Sequence, residues 1–124
     1  MSMDIKLLRE KLGLQCNEDE EVLYCIIPQT SISVNMTINP PGIFIYSMVV
    51  GMDKVDKIVE FIDEFYNTYN DYLVVRPNVT ISTKHDEMDI YDVGVDMEFN
   101  TQNIPGEIIE AIIRLVELFK RYSL

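Results

Sequence analysis

The stretch from Tyr91 to Phe99 constrains this chain more than any other. Tyr91, Val93, Val95, Met97 and Phe99 are apolar at every second position, and Asp92, Gly94, Asp96 and Glu98 fill the positions between. A period of two is the period of a β-strand. One face of this strand must be covered and the other, acidic face can meet water. That pattern belongs to an antiparallel sheet packed on one side.

The neighbouring segments supply the rest of such a sheet. Val22 to Ile27 is a continuous apolar and aromatic run, whose buried face periodicity does not assign. Ile32, Val34, Met36 and Ile38 alternate with Ser33, Asn35 and Thr37, which predicts a half-buried strand. Asn39-Pro40-Pro41-Gly42 marks a turn. Ile43 to Val50 is apolar on both faces, so it is expected at the centre of the sheet or with its second face against something else. Val79 and Ile81 alternate with Thr80 and Ser82 after Pro77, which limits where that strand starts.

Helical spacing appears in three places. Ile5, Leu8 and Leu12 predict a short helix over 4–12, with Ser2 or Asp4 to cap it and Gly13 to end it in a left-handed turn. After Gly51, with Asp53 as cap, Val55, Ile58, Val59, Ile62, Phe65, Tyr66 and Tyr69 make an apolar stripe opposite Asp56, Glu60, Asp63 and Glu64. The Asn67 to Asp71 stretch closes this helix. The last helix is expected from Pro105 to Tyr122, its core stripe widened by Ile113 and Leu118. Asn17 to Glu21 reads as an acidic exposed connector. The predicted order is α-β-β-β-α-β-β-α. It is an α+β, two-layer sandwich of a five-stranded antiparallel sheet with helices on one face, one domain over residues 1–124.

That order, at this length and acidity, resembles the type III secretion chaperone-like fold, a group that includes the YbjN-like proteins. The local likeness is in the second half of the chain. Phe65-Tyr66-Asn67-Thr68-Tyr69-Asn70 ends the middle helix, and Asn103-Ile104-Pro105-Gly106-Glu107 opens the last one, as in that group. The resemblance implies a small, acidic homodimer without catalysis; members of that group bind extended segments of client proteins or have no assigned role.

Charge narrows the partners. The 124 residues carry 21 acidic and 10 basic side chains, a formal charge of -11. Such a chain is repelled by phosphate backbones and anionic membranes, so neither nucleic acid nor membrane is an expected partner. Met1-Ser2-Met3-Asp4 lacks a basic region and an apolar core, and no apolar run approaches the length of a membrane span. Cys16 and Cys25 fit neither a CxxC redox pair nor a zinc knuckle. A disulfide between them is possible but not suggested, and reduced thiols fit a cytoplasmic location.

No residue set specifies an enzyme. The single histidine, His85, lies in the charged loop Lys84 to Asp89, and a Cys-His pair would need Cys16 or Cys25 beside it. Asp92, Asp96 and Glu98, with Asp86, Glu87 and Asp89 before them, offer oxygen ligands. Same-face positions on a strand step by about 7 Å, which spreads them poorly around one ion. No metal and no cofactor is expected. The glycines at 13, 42, 51, 94 and 106 are scattered and form no phosphate loop. Gly94 sits in the outward row, where the missing side chain suits a bulge or the close approach of another backbone, such as a docking peptide.

What remains is association. The expected protein interface comprises Tyr46 and Met48 on the strand apolar on both faces, Tyr66 and Tyr69 at the end of the middle helix, and Ile113 and Leu118 on the last helix. Asp92, Asp96 and Glu98 form a candidate acidic docking face. They also permit a second function, an antagonist that mimics nucleic acid in the basic groove of another protein, and a metal-dependent enzyme is the third and least favoured reading.

Overall fold

The computed structural model describes residues 5–72, 78–81, 89–100 and 104–124. Within them the chain forms α1 (Ile5–Leu12), β1 (Gln15–Asp19), β2 (Val22–Ile26), β3 (Ser33–Thr37), β4 (Gly42–Val50), α2 (Met52–Tyr69), β5 (Asn78–Ile81), β6 (Ile90–Glu98) and α3 (Gly106–Tyr122). The strands make one antiparallel sheet in the order β1-β2-β3-β4-β6-β5. This is the expected α+β class, with one strand more than the expected five.

The added strand is β1, whose acidic residues read as a connector. Its backbone pairs with β2 residue for residue from Gln15↔Ile26 to Asp19↔Val22. Glu20 and Glu21 make the two-residue turn, with Glu20 at φ 52. A positive φ at the first turn position is the conformation that hairpins usually reserve for glycine. Cys16 stands directly opposite Cys25, and their sulfurs are bonded at 2.02 Å. The expectation of reduced thiols is therefore corrected. The two cysteines lie at equal distance from the turn, so strand pairing brings them face to face.

The core lies between the sheet and the helices. Inward residues of the strands, among them Leu23, Cys25, Val34, Met36, Ile45, Val95 and Met97, meet Ile58 and Ile62 of α2 and Ile108, Ile112, Leu115 and Phe119 of α3 in one buried cluster. β4 is central, between β3 and β6, as its two apolar faces predict. α3 is apolar over a wide arc because it packs against α2, β4 and also α1. Gly13 ends α1 at φ 64, and the N–H of Leu14 donates to the carbonyl of Arg9 at 3.1 Å, the left-handed ending expected there.

Two helix starts differ in detail from expectation. Gly51 takes the cap position of α2 at φ 86 with no side-chain cap, so Asp53 lies inside the first turn. There its carboxylate meets the Lys54 ammonium at 3.2 Å. That hydrogen bond, with the lysine's charge, holds the Asp53 carboxyl below its usual range. At α3, Pro105 is the cap residue, and its carbonyl accepts from the N–H groups of Ile108 and Ile109. Ser2 and Asp4 lie outside the described residues.

One polar side chain sits in the core row. Ser47 points inward from β4, and its hydroxyl meets that of Ser31 at 3.0 Å. The N–H of Leu124 donates to the Met48 carbonyl at 3.1 Å, and the Ser31 N–H donates to the Leu124 carbonyl at 3.1 Å. Leu124 thus closes the end of the sheet where β3 and β4 part.

Candidate protein-docking face

Strand register determines what the second face of the sheet carries. Tyr24, Asn35, Phe44 and Asp96 stand in one row across β2, β3, β4 and β6. Ile26, Ser33, Tyr46 and Gly94 make the next row. Beyond them, Met48 pairs with Asp92 and Val50 with Ile90. At the other end Val22, Thr37, Gly42 and Glu98 align. The helices pack on the opposite side, and among the described residues nothing covers this face. Tyr24 is 48% exposed, Ile26 53% and Phe44 37%.

The relief of the face follows from the same rows. The outward residues of β3 are Ser33, Asn35 and Thr37, all short, between Tyr24 and Ile26 on one side and Phe44 and Tyr46 on the other. Two strand spacings separate these flanks, about 10 Å. Two hollows meet at Asn35. One, of about 310 Å³, runs from Gln15 and Asn17 of β1 past Tyr24 and Ile26 to Ser33 and Asn35. The other, of about 120 Å³, is lined by Asn35, Thr37, Phe44 and Asp96. The short side chains of β3 are therefore the floor of a shallow trough, flanked by Tyr24 and Ile26 on one side and Phe44 and Tyr46 on the other, and each hollow continues past its flank.

Gly94 shapes the far wall. A β-carbon there would lie 3.2 Å from the Phe44 ring and 3.6 Å from the Tyr46 ring. The two rings lie nearly parallel at 18°, centroids 6.3 Å apart. Close approach at Gly94 is thus made by side chains of β4, where the sequence suggested another backbone. The Tyr46 hydroxyl donates to Asp92. Burial first, and then this hydrogen bond and the charge of Asp92, push the Tyr46 phenol above its usual pKa.

The electrostatics of the two layers differ. Every lysine and arginine among the described residues lies in a helix: Lys6, Arg9 and Lys11 in α1, Lys54 and Lys57 in α2, and Arg114, Lys120 and Arg121 in α3. The ionised groups of the described strands are all acidic, with Glu18 and Asp19 on β1 and Asp92, Asp96 and Glu98 on β6. Asp19 aligns outward at one side of the trough, and Asp96 and Glu98 at the other.

The sequence-derived interface residues divide between layers. Tyr46 and Met48 belong to the open face, half-buried beside Asp92. Tyr66 and Tyr69 are half-buried on α2. Tyr69 packs against Phe65 at 5.2 Å and borders a hollow of about 180 Å³ between α2 and α3 with Phe61, Ala111 and Arg114. Ile113 is 9% exposed and belongs to the core, so α3 offers a partner only half-buried Leu118 of the expected pair. Tyr24, Ile26 and Phe44 are exposed residues of the open face that sequence reasoning missed. Once Cys25 is placed inward, alternation turns Tyr24 and Ile26 outward. Asp92, Asp96 and Glu98 share one strand face, and no cluster of three or more metal-type ligands occurs among the described residues. His85, Asp86 and Glu87 lie outside the described residues. No helix among the described residues is long and apolar enough to cross a membrane.

No family model matches the chain, and no curated protein matches it. Among solved structures it is similar to YbjN from E. coli, provisionally described as a transcription regulator, with 12% identity and a TM-score of 0.41 over 100% of this chain and 98% of that one. At that score the likeness is one of general layout and carries neither residue roles nor function. It lends nothing to the type III secretion chaperone side of the resemblance.

Proposed function

We propose that this chain is a non-enzymatic protein-binding module that holds a segment of a partner protein against the open face of its sheet. The observation that carries this reading is the exposure of Tyr24, Ile26 and Phe44 on one continuous hydrogen-bonded surface. Exposed apolar area that adjoins rigid backbone associates at low ordering cost, and burial contributes roughly 25 cal/mol per Å² of apolar surface. Tyrosine and phenylalanine suit such a surface because each brings large area with few rotatable bonds.

The expected homodimer has less to work with. Ile113 is withdrawn into the core, and a pairing of two open faces would set like-charged rims against each other. Light scattering coupled to size exclusion at tens of micromolar tests the dimer. The nucleic-acid-mimic reading is weaker than the docking reading, because Asp92 is engaged by Tyr46 and the face between the acids is aromatic. The cytoplasmic location loses the support of free thiols, since a Cys16–Cys25 bond persists best in an oxidising compartment.

The test is capture from an extract of the native cells with three immobilised proteins: the unaltered chain, Ile26→Asp, and Leu118→Asp as a control in the helix layer. Partners lost with Ile26→Asp and kept with Leu118→Asp support the open face. Partners that survive Ile26→Asp overturn it.

A further inference from the structure

We infer that the occupant of the open face is a basic, extended polypeptide segment lying along the trough over β3, with cationic side chains turned toward the acids on both sides. The inference rests on the protein-binding reading and specifies the partner's chemistry. The shape argument comes from β3. Ser33, Asn35 and Thr37 form a floor five residues long with its ends included, which an extended chain spans in about 17 Å. The walls, Tyr24 and Ile26 on one side and Phe44 and Tyr46 on the other, can hold apolar side chains of the segment. Hydroxyl and amide groups of the floor can meet its backbone.

Charge selects the sign of the occupant. Asp19 stands on one side of the trough, and Asp96 and Glu98 on the other. Asp96 is exposed and Glu98 half-buried, whereas Asp92 is held by Tyr46. No described strand residue carries a positive charge to offset them. A second copy of this face, a nucleic acid backbone and an anionic lipid surface all have the wrong sign. A segment with lysine or arginine spaced between apolar residues satisfies walls and rims together.

The test uses fluorescein-labelled peptides of alternating phenylalanine and lysine, with a second set in which glutamine replaces lysine. Binding is read by fluorescence anisotropy. At low salt the lysine peptide is expected to bind about tenfold tighter than the glutamine peptide, with the advantage shrinking severalfold as ionic strength shortens the range of the charges. Asp96→Asn with Glu98→Gln should remove most of that advantage and leave the glutamine peptide unchanged. Tyr24→Ser and Ile26→Ser, both at exposed positions, should weaken both peptides. If both peptides bind alike, or if the acid substitutions leave the lysine preference intact, the basic-segment inference is overturned while the docking reading stands. If no peptide binding responds to Tyr24→Ser or Ile26→Ser, both fall.

Discussion

β4 shows two fates for the same kind of residue. On its inward side Ile43, Ile45 and Val49 are buried against the helices. On its outward side Phe44 and Val50 remain exposed and Tyr46 and Met48 half-buried. Hydrophobicity does not separate the two rows. The helices do, because they roof one side of the sheet. The inward row turns its apolar area into stability, whereas the outward row keeps much of its area available for association.

The largest expected effect breaks that comparison at adjacent residues. Ile45→Ala should lower unfolding stability by about 2–4 kcal/mol, because it leaves a cavity in a packed core. Phe44→Ala should cost about 1 kcal/mol or less. Urea unfolding of both variants measures the difference, and equal losses would mean that the outward row is also core.

Next is the bond that ties the β1 edge to the sheet. Cys16 and Cys25 are nine positions apart. Closing so short a loop should stabilise the fold by about 2–3 kcal/mol in the chain-entropy account. Reduction with dithiothreitol should lower the urea midpoint accordingly, with exchange of the β1 amides rising before those of β4. A uniform rise would mean that the hairpin is not a separate unit.

A smaller effect has the opposite sign. Glu20→Gly should raise stability by about 0.5–1 kcal/mol, because glycine adopts the positive φ of that turn position without strain. A thermal melt of the oxidised protein measures it.

The smallest effect concerns Tyr46. Its phenol is raised in the folded chain, so folding favours the neutral form. That contribution is present below the ordinary phenol pKa and is lost as pH rises through the raised value. Tyr46→Phe should therefore flatten part of the alkaline decline in stability above about pH 10. Tyrosinate absorbance should lose a component that titrates above the ordinary phenol range.

Much of the fold was legible because burial imposes periodicity. The alternation from Tyr91 to Phe99 and the helical stripes of α2 and α3 each have one dominant partner surface. β1 was not legible, since Gln15-Cys16-Asn17-Glu18-Asp19 has little strand propensity and its turn has Glu20 where glycine is usual. Backbone pairing and a cross-strand disulfide hold it instead. The breadth of the α3 stripe is ambiguous for a tertiary reason: a wide apolar arc signals either an interface or a third packing partner, and α3 does pack against α1 as well as α2 and β4. The open face of the sheet was half legible. Tyr46 and Met48 were found from a strand apolar on both sides, but Tyr24 and Ile26 lie in a run with no polar residue to mark its parity. Ser47 illustrates the same ambiguity, being an inward serine whose need for a hydroxyl partner only the fold reveals.

The confinement of the described cations to the helices gives the molecule a direction as well as a charge. Among the described residues the helix charges nearly cancel one another while the strands add theirs, so these charges make an electric dipole whose negative end is the sheet. In the field of a cationic surface it experiences a torque that turns the strands toward that surface before contact. Rotational search is then shortened at the moment of encounter, and adsorption to a positively charged support is oriented, sheet side down.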